Sequence, residues 1–212
     1  MSVMERYHAL VRTIVRTAPT KARRPARGAS AEPMHYRVLV RLQHRQSLVQ
    51  MFEPVATRIG PARFERIVDD LRRLRPPTDP NPSRWATAFA ELTSERDDVD
   101  ARSKAITELL AARIEVNIAP DAPWERGIRP GALLRAFDCD PRVDGGDAPT
   151  VLAIHRDDDD HVRTSPLDRD AVAAWGLESG EADRALLATA GIDDAALERG
   201  RARLLTVGVL RG

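Results

Sequence analysis

Apolar positions recur along this chain with two different periods. Between residues 34 and 80 the period is helical. Val38, Leu42, Leu48, Val49 and Phe52 share one face, with arginines between them, which predicts a helix ending near Phe52. Pro54 interrupts the pattern, because proline lacks an N–H and crowds the preceding turn. A short segment carries Val55 and Ile59. Gly60-Pro61 then joins a helix-ending glycine to a proline suited to a first helical position. Phe64, Ile67, Val68, Leu71 and Leu74 fall at i, i+3, i+4, i+7 and i+10, so a second amphipathic helix follows. The run Arg75-Pro76-Pro77-Thr78-Asp79-Pro80 ends it, since paired prolines force extended backbone.

Helical spacing also precedes and follows this stretch. Val3, Met4, Tyr7, Leu10, Val11, Ile14 and Val15 predict a first helix, stopped at Thr17-Ala18-Pro19. Residues 18–33 read as a linker made basic by Lys21, Arg23, Arg24 and Arg27. Ser83 is the expected N-cap of a helix whose buried stripe is Trp85, Ala88, Phe89 and Leu92. After a polar break at 93–98, a helix is expected from Val99 to Asn117, carrying Ala105, Ile106, Leu109, Leu110 and Ile114. Residues 118–131 hold three prolines and two glycines and are the expected domain boundary, with Trp124 as a packing anchor between modules.

Beyond that boundary the pattern changes. Residues 132–137 are a short apolar run compatible with a strand, and 138–149 a turn-rich loop. Thr150–Arg156 is a strand by its β-branched content; Asp157–Asp160 is a polar turn, and His161–Thr164 can return as its partner. Helices are expected near 168–175, 181–190 and 193–205, capped by Asp168, Ser179, and Asp193 or Asp194. The expected fold class is therefore α+β, mostly α. A helical domain over 1–122 precedes a small winged-helix-like module over 132–212, built of a β-hairpin and about three helices. That last comparison is analogy at the level of fold.

Composition narrows the function classes. With 42% hydrophobic and 31% charged residues in 212, the chain can bury a core. Aromatics at 4% argue against a stacking platform for single-stranded nucleic acid. No apolar run reaches membrane-spanning length, and the opening MSVMERYHAL lacks a signal-type apolar core. The lone Cys139 excludes an internal disulfide and fits a reducing compartment, so a cytoplasmic protein without a membrane partner is expected. Net charge is +1, but residues 1–137 hold 24 Lys and Arg against 16 Asp and Glu, while 138–212 hold 9 against 16. Such asymmetry suggests two modules with different surfaces, which either dock on one another or offer a basic half to an acidic partner.

Several of these residues also carry a family resemblance. Tyr36-Arg37, Phe52-Glu53-Pro54, Ile59-Gly60, Phe64 and the Pro76-Pro77-Thr78-Asp79-Pro80 run resemble the N-terminal domain of the HvfC/BufC-type proteins, over residues 34 to 122. Ile114-Glu115 stands where that family's last helix carries Leu-Glu. One departure is visible: the family usually reads Phe-Pro where this chain has Phe52-Glu53-Pro54. The family, once filed as DNA-binding, comprises partners of multinuclear non-heme iron oxidative enzymes that modify ribosomally made peptides; the methanobactin biosynthesis partner is a relative. The resemblance implies a non-catalytic subunit with no cofactor in this chain and iron in the partner enzyme. Its two partners would be that enzyme and a precursor peptide. On this reading Arg37, Arg41, Pro76 and Pro77 face the enzyme. Val151, Ala153 and His155 bind the peptide by β-augmentation along a strand edge. The bland alternative is equally plain for each residue: arginines on a solvated helix face, and prolines that merely end a helix.

Two other classes compete. A DNA-binding regulator would use the basic N-terminal half, although no helix-turn-helix or zinc-finger spacing supports it, and nucleic acid is not the expected partner. A metalloenzyme would use His155 and His161 around Asp157–Asp160, but the aspartates have the pattern of a solvated turn. His8, His35 and His44 read as surface or packing residues. Glu115 reads as an exposed acid or as the partner of Arg113 or a more distant arginine. Cys139, among acids, reads as structural. No glycine-rich phosphate loop is present, and nothing makes a positive case for an enzyme.

Overall fold

The computed structural model describes residues 32–75 and 81–212, with side chains described from residue 42 onward. The expected first helix at 3–15, nearly all of the basic linker, His8, and Pro76 and Pro77 lie outside the described residues. So do the side chains of His35, Arg37, Val38 and Arg41. The chain divides into two compact units, the first closing at Ala111 and the second running Ala112–Gly212. Residues 118–131 therefore fall inside the second unit.

In the first unit, α1 (Glu32–Met51) gives way at Phe52 to α2 (Glu53–Ile59), and Gly60 separates this from α3 (Pro61–Leu74). Gly60 has φ +85°, a left-handed value that glycine adopts without strain. A 3-10 turn (Pro82–Arg84) leads into α4 (Trp85–Ser94). The cap here is Asn81, whose side chain accepts from the Ser83 N–H; Ser83 does not take the expected capping role. Phe89 joins the helices, with its ring centroid 4.6 Å from Phe52 and 5.2 Å from Phe64. Leu48, Val55, Ile67, Val68 and Leu71 of the same unit are buried too. Truncating such a ring to alanine costs about 3–5 kcal/mol. Two residues of the expected stripe are exposed, Leu42 by 51% and Leu74 by 59%. His44 packs against Trp85, at 4.7 Å between ring centroids.

The helix α5 (Ala101–Ile118) starts at Asp100, which accepts from the Ser103 N–H and its hydroxyl. Its last turns belong to the second unit. There follow β1 (Gly127–Ile128), β2 (Leu133–Phe137), β3 (Thr150–Arg156) and β4 (Val162–Leu167). Next come α6 (Arg169–Ser179), α7 (Arg184–Thr189), α8 (Asp194–Thr206) and β5 (Leu210–Arg211). Among the described residues the molecule is thus mixed α+β, with eight helices and small antiparallel sheets. Asp168, Asp183 and Asp193 cap α6, α7 and α8 by accepting backbone N–H bonds. Ser179 is the last residue of α6 and caps nothing downstream.

Three strands form one sheet in the order β2-β3-β4, and β1 pairs with β5 separately. Alternation along the strands sets the two faces. Leu134, Ala153 and Leu167 pack on Ala171, Ala174 and Trp175 of α6 and Leu204 of α8. The two helices cross closely at Gly200, where a Cβ would come within 2.1 Å of the Asp170 carbonyl oxygen. The opposite face carries Leu152, which is fully buried, and Arg135. Side chains of the last turns of α5 reach this sheet at both margins. Arg113 contacts the Val162 carbonyl and Thr164 on β4, and Glu115 approaches Arg135 on β2 at 3.7 Å. Glu115 thus meets the more distant arginine, not Arg113.

Candidate functional site

β3 is the central strand. Its residues pair with β2 on one side and β4 on the other: Ala153 opposes Leu134 and Ser165, and Val151 opposes Ala136 and Leu167. The backbone of Val151, Ala153 and His155 is therefore already committed, and no peptide can add at that strand. Ala153 and His155 are buried as well. The expectation of β-augmentation at β3 is corrected here, because the run Ala132–Phe137 supplies the third strand that covers it.

Which groups the outer strands offer follows from one residue. Antiparallel pairs alternate between hydrogen-bonded and non-hydrogen-bonded. Pro166 has no N–H, and it opposes Leu152. At the hairpin end the Asp157 N–H donates to the His161 carbonyl at 2.9 Å, which makes that pair hydrogen-bonded. Counting back from it puts Leu152 and Pro166 in a non-bonded pair, as the imino acid requires. Val162, Thr164 and Pro166 then turn their backbone groups outward on β4, and Leu134 and Ala136 do so on β2.

The two edges are equipped differently. On β4, Arg113 approaches the Val162 carbonyl at 3.5 Å and Arg203 the Pro166 carbonyl at 3.4 Å. Proline and covering side chains are usual protections of a strand edge. On β2, Ala136 is exposed. The Leu134 carbonyl accepts a 3.3 Å bond from the Arg135 guanidinium beside it. Among the described residues, no backbone group outside β3 bonds to β2.

A hollow of about 330 Å³ lies at the hairpin end of the sheet, lined by Arg129, His155, Asp157, Arg163 and the Val207–Gly208 turn, among others. The His155 Nδ1 lies 3.0 Å from the Arg156 carbonyl, so this nitrogen carries the proton and donates. Nε2 is buried without a hydrogen-bond partner. Burial pushes the ring's pKa below its usual value and the Arg129 charge acts the same way, while the Arg156 carbonyl and the Asp157 charge oppose them. The ring is almost wholly buried and packs in the wall of this hollow.

Asp157 organises the hairpin turn. One carboxylate oxygen accepts from the N–H groups of Asp159 and His161, and the other accepts from Arg163 at 2.6 Å. These bonds, the His161 N–H first, hold its pKa down to about 2. Asp157, Asp159 and His161 bring potential cation ligands within 4.8 Å of one another, and His155 is not among them. The paired histidines of the metalloenzyme alternative are thus not among the grouped ligands, and Asp157 already accepts three hydrogen bonds that build the turn.

Other expected residues find different places. Trp124 lies under the guanidinium groups of Arg129 and Arg211, each 4.1 Å from its ring centre. Its Nε1 donates to the Gly127 carbonyl, so these contacts anchor the β1–β5 pair inside the second unit. Cys139 is buried. In the first unit, an apolar hollow of about 460 Å³ lies among α1, α2 and α3, lined by Leu42, Val49, Ala56, Pro61 and Phe64, with the Arg45–Glu65 ion pair at its margin. Sequence periodicity misses both this hollow and the β2 edge; the exposed Leu42 and the apolar run at 132–137 are their only local signals. No described helix is long and apolar enough to cross a membrane. No protein-family model matches the chain, and no curated protein matches it.

Proposed function

We propose that this chain is a cytoplasmic, non-catalytic partner subunit that captures an extended precursor peptide and presents it to a multinuclear iron peptide-modifying enzyme. The observation that carries the reading is the difference between the two sheet edges. Both edges turn alternate backbone groups outward and each has arginines near its carbonyls, but β4 includes Pro166, which has no N–H to offer, whereas β2 offers both donor and acceptor at Leu134 and Ala136. An extended peptide paired there would gain main-chain hydrogen bonds, with specificity set by alternate side chains. In this reading the second unit is a winged-helix-like peptide-recognition module. The helical unit supplies the enzyme-docking surface, through α1 with Arg37 and Arg41, the Pro76-Pro77 stretch, and the apolar hollow beside Leu42. The iron belongs to the enzyme and the peptide is the second partner.

The test is purification of the tagged full chain from its native host, with identification of what is retained. Recovery of an iron-containing oxidative enzyme, enriched when a precursor-type peptide is added, supports the reading. Retention of duplex nucleic acid, falling steeply with salt, would replace it with the DNA-binding alternative.

A further inference from the structure

Arg135 stands where the open edge and its surroundings meet. Its NH1 donates to the Leu134 carbonyl at 3.3 Å, which is one of the groups a fourth strand would need. Its NH2 lies 3.7 Å from a Glu115 carboxylate oxygen, with the two side chains 38% and 49% exposed. A pair this long and this wet holds the guanidinium weakly. The bond to Leu134 is likewise long for an N–H···O bond. The guanidinium is therefore a removable cover over the edge it borders.

A strand added beside β2 would show alternate side chains to two environments. One set would lie on the side of Leu134, which packs against the apolar cluster of Ala153 and Trp175. The other would lie beside Arg135, whose planar fork of donors matches a carboxylate. Neighbouring opposite charges on one sheet face attract, and like charges repel.

We infer that Arg135 is the specificity-determining residue of the β2 edge: it covers the Leu134 carbonyl when the edge is empty and selects an extended peptide bearing a carboxylate between apolar residues. This rests on the peptide-capture reading above. On binding, the guanidinium leaves the carbonyl, the peptide's N–H takes its place, and the peptide's acid takes the guanidinium.

The experiment titrates the isotope-labelled full chain with acetyl-Val-Glu-Val-Thr-Val-amide and with the same peptide carrying Gln or Lys in place of Glu. The Leu134–Phe137 amide signals report binding. The Glu peptide should bind about three- to fivefold more tightly than the Gln peptide, and the Lys peptide least tightly. Arg135→Glu should invert the order, and Arg135→Gln should make the three peptides equal, with little change in melting temperature. Equal binding of all three to the unaltered chain, or an order that survives Arg135→Glu, would overturn the inference while leaving edge capture standing. No binding to either the unaltered chain or Arg135→Gln would overturn both.

Discussion

β2 and β4 border the same three-stranded sheet, yet they present opposite faces of strand chemistry. β4 exposes carbonyls that arginines approach and a proline that has no hydrogen to offer. β2 exposes a complete donor–acceptor set at Ala136 and a lightly covered carbonyl at Leu134. The lesson concerns where a sheet can grow. Protection at one edge leaves growth to the other, and a growing edge is a binding site only if it stops after one strand. The short length of β2, five residues, limits how much can be paired there.

The comparison breaks most sharply on proline scanning. Arg135 directs its N–H to β3, so Arg135→Pro should lower the unfolding free energy by about 3 kcal/mol in chemical denaturation. Ala136→Pro loses no ladder bond and should cost only about 1 kcal/mol, while abolishing peptide pairing. Equal losses would show that the assigned alternation is wrong. Next in size is Arg203→Met, which removes the donor at the Pro166 carbonyl and should cost about 1 kcal/mol in the same assay. Smaller still is Pro166→Ala, with a stability change within about 0.5 kcal/mol. Its readout is self-association by sedimentation, which should rise because β4 then has a second kind of group to offer.

The smallest effect is on pH dependence. Burial holds the His155 pKa below its ordinary value of 6.5, so the unfolded chain takes up the proton first. The stability contributed by the neutral ring is whole above that pH and is lost as pH falls through the range below it. Denaturation midpoints measured from pH 7.5 downward should decline, and His155→Gln should flatten the decline. Hydrogen exchange sharpens the contrast between edges: the β3–β4 amides near the hairpin should open first on acidification, and those of β2–β3 last.

Much of the element pattern was legible in the sequence, because helix periodicity, Gly60-Pro61 and capping aspartates are local signals. Phe64, Ile67, Val68 and Leu71 are buried as their spacing requires. Asp168 and Asp193 cap where they were expected to. What local reading could not supply was pairing. The β-branched run at Thr150–Arg156 marks a strand, but whether that strand is central depends on Leu133–Phe137, a nonlocal partner. The free strand edge therefore lies one strand further out, at β2, than the β-branched run alone suggests. Leu42 and Leu74 fall at core spacing, yet they are exposed, because periodicity marks a helix face without saying how far along it the packing extends. Asn81 rather than Ser83, and Asp183 rather than Ser179, serve as caps, because a cap is chosen by where the chain turns and not by residue type alone.

Pro166 also bears on how this region can change and how it folds. A slip of β4 by one residue would set the imino acid in a pair that requires a hydrogen and would turn Leu167 away from the helices. Both errors are penalised together, so misregistered hairpins should dissolve before they are fixed. Over generations, the turn at Asp157–His161 can gain or lose residues only in ways that restore the same phase. One imino acid thereby acts as a proofreader, both of the hairpin while it forms and of its lineage as it varies.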